Sequence, residues 1–396
     1  MIIKPSIRSN VFTNAHPHGS EWFIKKQIDE AKNLPNFEGP KTVLIIGGSS
    51  GYGLASRIAL AFNANANTIN VSFEAAPKGK KTGTAGWWNN IFFQQIAKET
   101  GNIHKDFVGD AFSDSMKQDV ATYIKETFGC VDLIIYSLAA GGRPDNNGNL
   151  VRSAIKTIGE AASGQTIDIA KKHVKDLSVE PATQEEIDNT VYVMGGSDWE
   201  KWIFTLDEKA LLSEKAKTIS YTYVGGETTD KIYRSGTLGK AKEDLEHTAK
   251  TLNALLKTKY RGEALISSSK AVVTKASVFI PQMPIYVSCL YDVMMEEGSH
   301  ETILEHKHRL FKDMIYGSKR IIDGSERIRI DHAEMEKSVQ YKTSKLMHSL
   351  DEEALFKRKG TQEFLKDFYQ MSGFMFDEVD YDKAVNLEAL SKLKPE

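Results

Sequence analysis

Thr42, Val43, Leu44, Ile45 and Ile46 form an unbroken run of apolar and β-branched positions. A run without a polar face predicts a strand buried on both sides. Gly47-Gly48-Ser49-Ser50-Gly51-Tyr52-Gly53 follows, and then Leu54, Ala55, Ile58, Ala59 and Leu60 at helical spacing. The pattern recurs. Residues 69–73, 103–108 and 131–136 read as further buried strands, and helical stretches reach about Glu99 and cover 113–127. Strand and helix alternating over residues 42–136 predict half of a doubly wound parallel sheet, an α/β fold of the Rossmann type.

The chain is less regular over 141–181, where Gly, Asn, Lys and Thr break any period. This stretch is expected to be an insertion over the cleft carrying a small hairpin. Residues 184–212 read as helix broken at Gly195-Gly196, and 217–224 and 264–267 as two further strands. From Ile280 to Met294 the chain is apolar nearly all round. That fits a core helix or a lid over an aliphatic ligand, since Met and aromatic side chains adapt to such ligands. The expected organisation is an N-terminal arm over 1–40 with a helix near 21–33, and a nucleotide-binding core over 41–282. A lid helix and charged, amphipathic C-terminal helices of the same globular unit then fill 283–396.

Composition narrows the function classes. The 396 residues are 41% hydrophobic with a net charge of −2, which gives a polyanion such as nucleic acid no electrostatic footing. Cys130 and Cys289 are the only cysteines; both border apolar runs and read as buried thiols in a reducing compartment. The N-terminus has early Lys4 and Arg8 and no long apolar stretch, so neither a signal peptide nor a membrane span is expected, and the cytoplasm is the expected location. His16 and His18 flank Pro17 without a completing carboxylate or cysteine, which predicts a turn and no metal.

Candidate chemistry gathers at two stretches. A strand, a glycine turn and a helix offer a pyrophosphate unpaired N–H groups, a partial positive charge and a backbone it can approach closely. The spacing Gly47-x-x-x-Gly51-x-Gly53 is nearer to that of short-chain dehydrogenases than to G-x-G-x-x-G. Glu74 follows the second strand where a ribose diol is held in this fold; it favours NADH over NADPH unless it is merely a solvated strand end. Asp110 and Ala111 follow the third strand, where they either face adenine or cap the next helix. Small residues over 137–142 let the backbone pass a nicotinamide ribose. Trp87 and Trp88 read as core rather than cleft.

The second stretch holds Tyr223, Tyr233, Lys240 and Lys242, after the 217–224 strand and therefore at the carboxyl edge of the sheet. A phenol donates to an oxygen that gains negative charge, and an ammonium nearby lowers a phenol pKa of about 10 and can hold a ribose. A half-buried tyrosine and a surface lysine are the plain alternative. In a continuous helix Lys240 would share a face with Tyr233 and Lys242 would oppose it. Gly236 and Gly239 instead predict a helix beginning after Tyr233, capped by Ser235 or Thr237, which leaves both lysines open.

These residues resemble the FabV-type trans-2-enoyl-CoA / enoyl-[acyl-carrier-protein] reductases nearly end to end. The resemblance is carried by IIKPSIRSNVFTNAHPHG, GGSSGYGLASR, NVSFE, GDAFSD, YSLA, VMGGSDWE, YRSGTLGKAKEDLE, VTKAS and IPQMPIY. It implies an elongated short-chain-dehydrogenase-like enzyme, usually a monomer, that reduces the 2,3 double bond of enoyl-CoA or enoyl-acyl-carrier-protein thioesters with NADH. The family's Tyr-x8-Lys pattern falls on Tyr233 and Lys242, and its substrate-contacting tyrosine on Tyr223. Its cofactor contacts fall on Gly47, Gly48, Ser49, Ser50, Gly51 and Tyr52, on Phe73 and Glu74, on Asp110 and Ala111, on Leu138 and Ala139, and on Val272, Val273 and Thr274. Ala140-Gly141 departs from the Ser-Pro of many relatives and leaves the lid shape open. The rival readings are a carbonyl reductase of the short-chain type and a nucleotide sensor with a relic site.

Overall fold

Seven parallel strands form the centre of the fold in this computed structural model, which describes residues 1–349 and 351–396. They are β1 Thr42–Ile46, β2 Asn67–Ser72, β3 His104–Val108, β4 Val131–Tyr136, β5 Leu212–Thr222, β6 Glu263–Ser268 and β7 Arg327–Arg329. Their order is β7-β6-β5-β4-β1-β2-β3. The order reverses between β1 and β4, and an open α/β sheet binds its ligand outside the carboxyl ends of the strands at such a point.

Both faces of the sheet are covered, as the continuous apolar runs predict. Leu44, Ile46, Ile134 and Tyr136 face one core, shared with the Asp114–Thr127, Ser197–Glu208 and Thr237–Tyr260 helices. Val43, Ile45, Leu133 and Ile135 alternate with them and face another, shared with Leu60, Leu310 and Phe311. The N-terminal Pro17–Lys32 helix packs on the Gly51–Asn63 and Ala85–Ala97 helices. His16 caps it by accepting from the Gly19 N–H at 3.2 Å. The first and last segments also meet, because the Met1 ammonium donates to the Val385 carbonyl at 2.7 Å. Among the described residues no helix is long and apolar enough to cross a membrane.

Several expectations shift. The insertion holds two antiparallel hairpins, Gly142–Pro144 with Leu150–Arg152 and Ala162–Asp168 with His173–Val179. β5 begins at Leu212 rather than 217 and ends at Thr222, its register against β4 shifting between Leu212 and Lys217. β7 is a further strand; in Arg-Ile-Arg only Ile328 is buried, so no apolar run announces it. The helix expected after Ile280 is Met283–Glu296, and every residue from Met283 to Met294 is buried, which makes it core. Cys130 is half-buried rather than buried, and Cys289 is buried. Trp88 lies in the core and donates to the Thr82 carbonyl at 2.8 Å.

Beneath β1 and β2 lies a fully buried ion pair. Arg57 donates to Asp106 at 2.8 and 3.3 Å and stacks 4.1 Å from the Phe93 ring centroid. Asn70, in the middle of β2, donates to Asp106 at 2.6 Å and accepts the Gly48 N–H at 2.8 Å. The pair thus reaches the glycine turn through one side chain. Removing one member of a buried pair strands the other charge in a poor solvent. Asp106→Ala is therefore expected to cost about 3–5 kcal/mol, read as a lower urea midpoint. A midpoint equal to the wild type would show that the pair does not hold the fold.

Candidate active site

A cavity of about 590 Å³ opens at the carboxyl ends of β1, β4 and β5, where the strand order reverses. The glycine turn forms its floor. Gly47 has φ +96°, and a Cβ there would sit 2.3 Å from the Ser137 carbonyl oxygen. Gly51 has φ +56°, also in the left-handed region that favours glycine. The Gly51–Asn63 helix starts here, and its N-cap residue Ser50 makes no capping bond with its side chain. First-turn N–H groups at a cavity floor suit an anion. These features fit a dinucleotide pyrophosphate at the turn.

Glu74 stands at one side of the glycine turn. One carboxylate oxygen accepts from the Ser49 hydroxyl at 2.6 Å and the other from the Thr84 hydroxyl. Gly86 makes room for it, since a Cβ there would fall 1.9 Å from Glu74 Oε1. Glu74 is therefore no solvated strand end: it ties the glycine turn to the start of the Ala85–Ala97 helix, where negative charge is favoured. Phe73 is 81% exposed at the cavity rim. Leu138 and Ala139, after β4, line the cavity beside the turn, and Val272 and Thr274 line it from the loop after β6.

Four expected cofactor residues do not border this cavity. Gly48 is packed against Asn70, and its N–H is spent there. Asp110 accepts the Phe112 N–H at 2.9 Å in a local turn, one strand further out. The cap of the Asp114–Thr127 helix is Ser113, not Asp110. Ala111 is buried in the core on one face of the sheet. Val273 faces a smaller neighbouring cavity of about 120 Å³ that also touches Ser50 and Gly51.

Tyr223 and Tyr233 share the far wall, their rings edge to face with centroids 4.8 Å apart. Tyr233 lies in a turn ahead of the Thr237–Tyr260 helix, as the glycines predict. The helix N-cap is Gly236, however, and neither Ser235 nor Thr237. The Ser235 hydroxyl donates to Asp230 at 2.5 Å, and that of Thr237 donates to the Ala154 carbonyl of the insertion at 2.5 Å. Gly239 lets this turn fold onto the helix, because a Cβ there would lie 1.7 Å from the Arg234 carbonyl oxygen.

The structure separates the two lysines. Lys240 is exposed and pairs with Glu243 at 2.9 Å. Lys242 lines the cavity, and its ammonium donates to the Tyr221 carbonyl at 3.4 Å. Burial lowers the Lys242 pKa to about 8, with Glu246 opposing the shift. Burial also pushes the Tyr233 phenol well above its usual value, and the cation that counters this is Arg234 rather than Lys242.

Sequence reasoning missed Glu334. It is fully buried behind Tyr223 and accepts from the Tyr223 and Tyr286 hydroxyls at 2.9 and 2.7 Å and from the Ala271 N–H at 2.6 Å. Burial raises its pKa to about 7. It stands in a charged stretch with no local pattern that marks it. Met283 and Ile280 also reach the cavity, so only the start of the apolar helix touches it.

Comparison with known proteins agrees with this geometry. Residues 81–316 match the family model for the trans-2-enoyl-CoA reductase catalytic region, and residues 2–79 the NAD(P)H binding domain of trans-2-enoyl-CoA reductase. Residues 322–385 match a model described as an enoyl reductase FAD binding domain. That segment does not fit a flavin. It supplies β7, Glu334 and the Lys359–Gln370 helix, and two of its glycines, Gly360 and Gly373, pack directly on the backbone of Asp292 and of His16 and Ser20.

The chain is 44% identical over 398 residues, covering 100% of both proteins, to a trans-2-enoyl-CoA reductase [NADH] of Clostridium beijerinckii. It is 46% identical over 401 residues, again covering 100% of both, to an enoyl-[acyl-carrier-protein] reductase [NADH] 2 of Vibrio parahaemolyticus. Its fold superposes with a TM-score of 0.97 on the Clostridium acetobutylicum trans-2-enoyl-CoA reductase solved in complex with NADH, at 42% identity over 100% of both chains. A nucleotide turn and a tyrosine–lysine wall around one cavity, joined to end-to-end similarity of this strength, lead to one conclusion: the chain belongs to the trans-2-enoyl-CoA reductase family.

Proposed function

We propose that this chain reduces the 2,3 double bond of trans-2-enoyl thioesters with NADH, the acyl group being carried by CoA or by acyl-carrier protein. One observation carries the reading: Tyr233, Lys242 and the glycine turn, distant in sequence, border the same cavity at the switch point of the sheet. The activities for which the relatives are named support it.

When bound, reduced nicotinamide supplies a hydride to C3 of the enoyl group. Negative charge then moves to the thioester oxygen, and C2 takes a proton to complete the acyl product. Tyr233 is assigned the hydrogen bond to that oxygen. Its buried phenol stays neutral, so it acts as a preorganised donor rather than as phenolate. Tyr223, edge-on to it, is assigned to the same thioester. Lys242 is assigned to the cofactor ribose and Glu74 to the adenosine ribose. Gly47, Ser49, Ser50, Gly51 and Tyr52 are assigned to the pyrophosphate end. Phe73, Leu138, Ala139, Val272 and Thr274 are read as its apolar and backbone walls. We read the enzyme as a cytoplasmic monomer engaging neither membrane nor nucleic acid; the net charge of −2 and the two unpaired thiols support this.

The direct test is NADH oxidation with crotonyl-CoA against acetoacetyl-CoA. Turnover of the first and not the second is expected; the reverse would make the chain a carbonyl reductase, and turnover of neither would favour a sensor. Tyr233→Phe is expected to lower kcat by about 100-fold or more while NADH affinity, followed by fluorescence, stays unchanged. Near-wild-type kcat would remove Tyr233 from the chemistry. Glu74→Ala removes a charge-assisted contact, so the NADH/NADPH ratio of kcat/KM is expected to fall about tenfold. An unchanged ratio would put the discrimination elsewhere.

A further inference from the structure

Resting on the reductase reading, we propose that Glu334 is a positioning residue for the reduction: as a carboxylic acid it donates to the Tyr223 hydroxyl oxygen and so leaves that hydroxyl's own hydrogen free for an oxygen bound in the cavity.

The directions of the surrounding hydrogen bonds carry the argument. Gln340 Nε2 donates to the Tyr286 hydroxyl at 2.9 Å, and an amide nitrogen can only donate. Tyr286 therefore spends its one hydrogen on Glu334 Oε1, 2.7 Å away. Glu334 Oε2 is taken by the Ala271 N–H at 2.6 Å. What remains is the 2.9 Å contact between Oε1 and the Tyr223 hydroxyl. If Glu334 is ionised, it accepts from Tyr223, and the Tyr223 hydrogen is turned into the protein wall. If Glu334 carries a proton on Oε1, the polarity reverses. A single chain then runs from Gln340 through Tyr286 and Glu334 to Tyr223, ending with a donor available to the cavity. Thr229, the other hydroxyl beside Tyr223, donates to the Gly226 carbonyl at 3.2 Å.

Burial and Asp331 favour the protonated form of Glu334, and the hydrogen bonds from Tyr286, Ala271 and Tyr223 oppose them. Asp331, on the same segment, is buried and repels a second negative charge, although Arg329 grips it at 2.8 and 2.9 Å. Tyr52, from the helix of the glycine turn, and Tyr223 and Tyr286 contribute neutral phenols. Lys270, from the loop after β6, is the cation whose charge Glu334 feels, but its ammonium donates to the Glu301 carbonyl at 2.6 Å. Burial and Asp331 together bring Glu334 to about 7. A carboxyl raised in this way is protonated below that value and ionised above it. The Tyr223 donor is thus present at lower pH and lost as pH rises through it.

The wild type and two variants test this. In the wild type, kcat with crotonyl-CoA is expected to fall as pH rises through about 7. In Glu334→Gln the side chain carries no titrating proton, so that fall should vanish, leaving only a decline that starts near the Lys242 value of about 8. Glu334→Leu should lower kcat about tenfold at low pH, the loss of one hydrogen bond to the reacting oxygen, with NADH affinity unchanged. Superimposable profiles for wild type and Glu334→Gln would overturn the proposal. Infrared difference spectra give an activity-free readout. A protonated-carboxyl C=O band should be present in the wild type below pH of about 7, lost above it, and missing from Glu334→Gln. Absence of that band at low pH overturns the proposal. A wild type that shows the band yet reduces no enoyl thioester instead overturns the reductase reading, and the positioning role with it.

Discussion

The interaction on which the site depends is the buried contact of Arg57, Asp106 and Asn70 beneath the glycine turn. Taking two ions out of water costs several kcal/mol each, and their attraction recovers this only when the geometry is good and the leftover hydrogen bonds are filled. Here they are filled. Arg57 bridges the helix of the nucleotide turn to β3, Asp106 also accepts from Asn70, and Asn70 fixes the Gly48 N–H. A hydrophobic trio of similar volume would hold the sheet as well, but it would offer Gly48 no acceptor. The polar network is therefore best understood through the turn it orients: it sets the backbone of residues that must meet a pyrophosphate, from a position the pyrophosphate never touches.

The remaining parts are brought together by close backbone approach. A Cβ at Gly53 would lie 2.1 Å from the Gly47 carbonyl oxygen, and one at Gly239 would lie 1.7 Å from that of Arg234. The first closes the nucleotide turn on its own helix, and the second folds the Tyr233 turn onto the helix that bears Lys242. Between them runs the loop after β6. The Tyr52 hydroxyl donates to the Lys270 carbonyl at 2.6 Å, and a Cβ at Gly51 would lie 3.4 Å from Thr274 Cγ2. Segments more than two hundred residues apart in sequence thus form one rim, because the parallel sheet delivers all their strand ends to one edge.

How much of this the sequence disclosed depends on whether a feature is local. β1 and β4 are buried on both faces, so their apolar runs were unmistakable, and the glycine turn between strand and helix declared its use. Tyr233 on a turn before its helix followed from Gly236 and Gly239. β7 was invisible because an edge strand with one buried residue has no pattern. Periodicity left Lys240 and Lys242 open, and only the spatial arrangement divides them into a solvated pair and a cavity wall. The readings of Asp110 and Ala111 gain nothing from the cavity lining: the position after a third strand is generic, and here a local turn holds one residue and the core the other. Glu334 and Asn70 could not be found at all, since a polar residue in a charged stretch or mid-strand acquires meaning only from partners distant in sequence.

The tyrosines show what the cavity is built to do. Tyr52, Tyr136, Tyr221, Tyr223 and Tyr233 all have phenols raised by burial, so the wall disfavours fixed phenolate charge. A wall of neutral hydroxyls is suited to an oxygen that is nearly neutral in the bound substrate and anionic only in passing, because donors already in place gain most when charge appears. Lys242 complements it: lowered to about 8, it stays mainly protonated at neutral pH, yet it binds the Tyr221 carbonyl rather than a phenol. A cation held on a backbone carbonyl leaves the phenols neutral, and neutral hydroxyls already in place can donate when negative charge forms in the cavity.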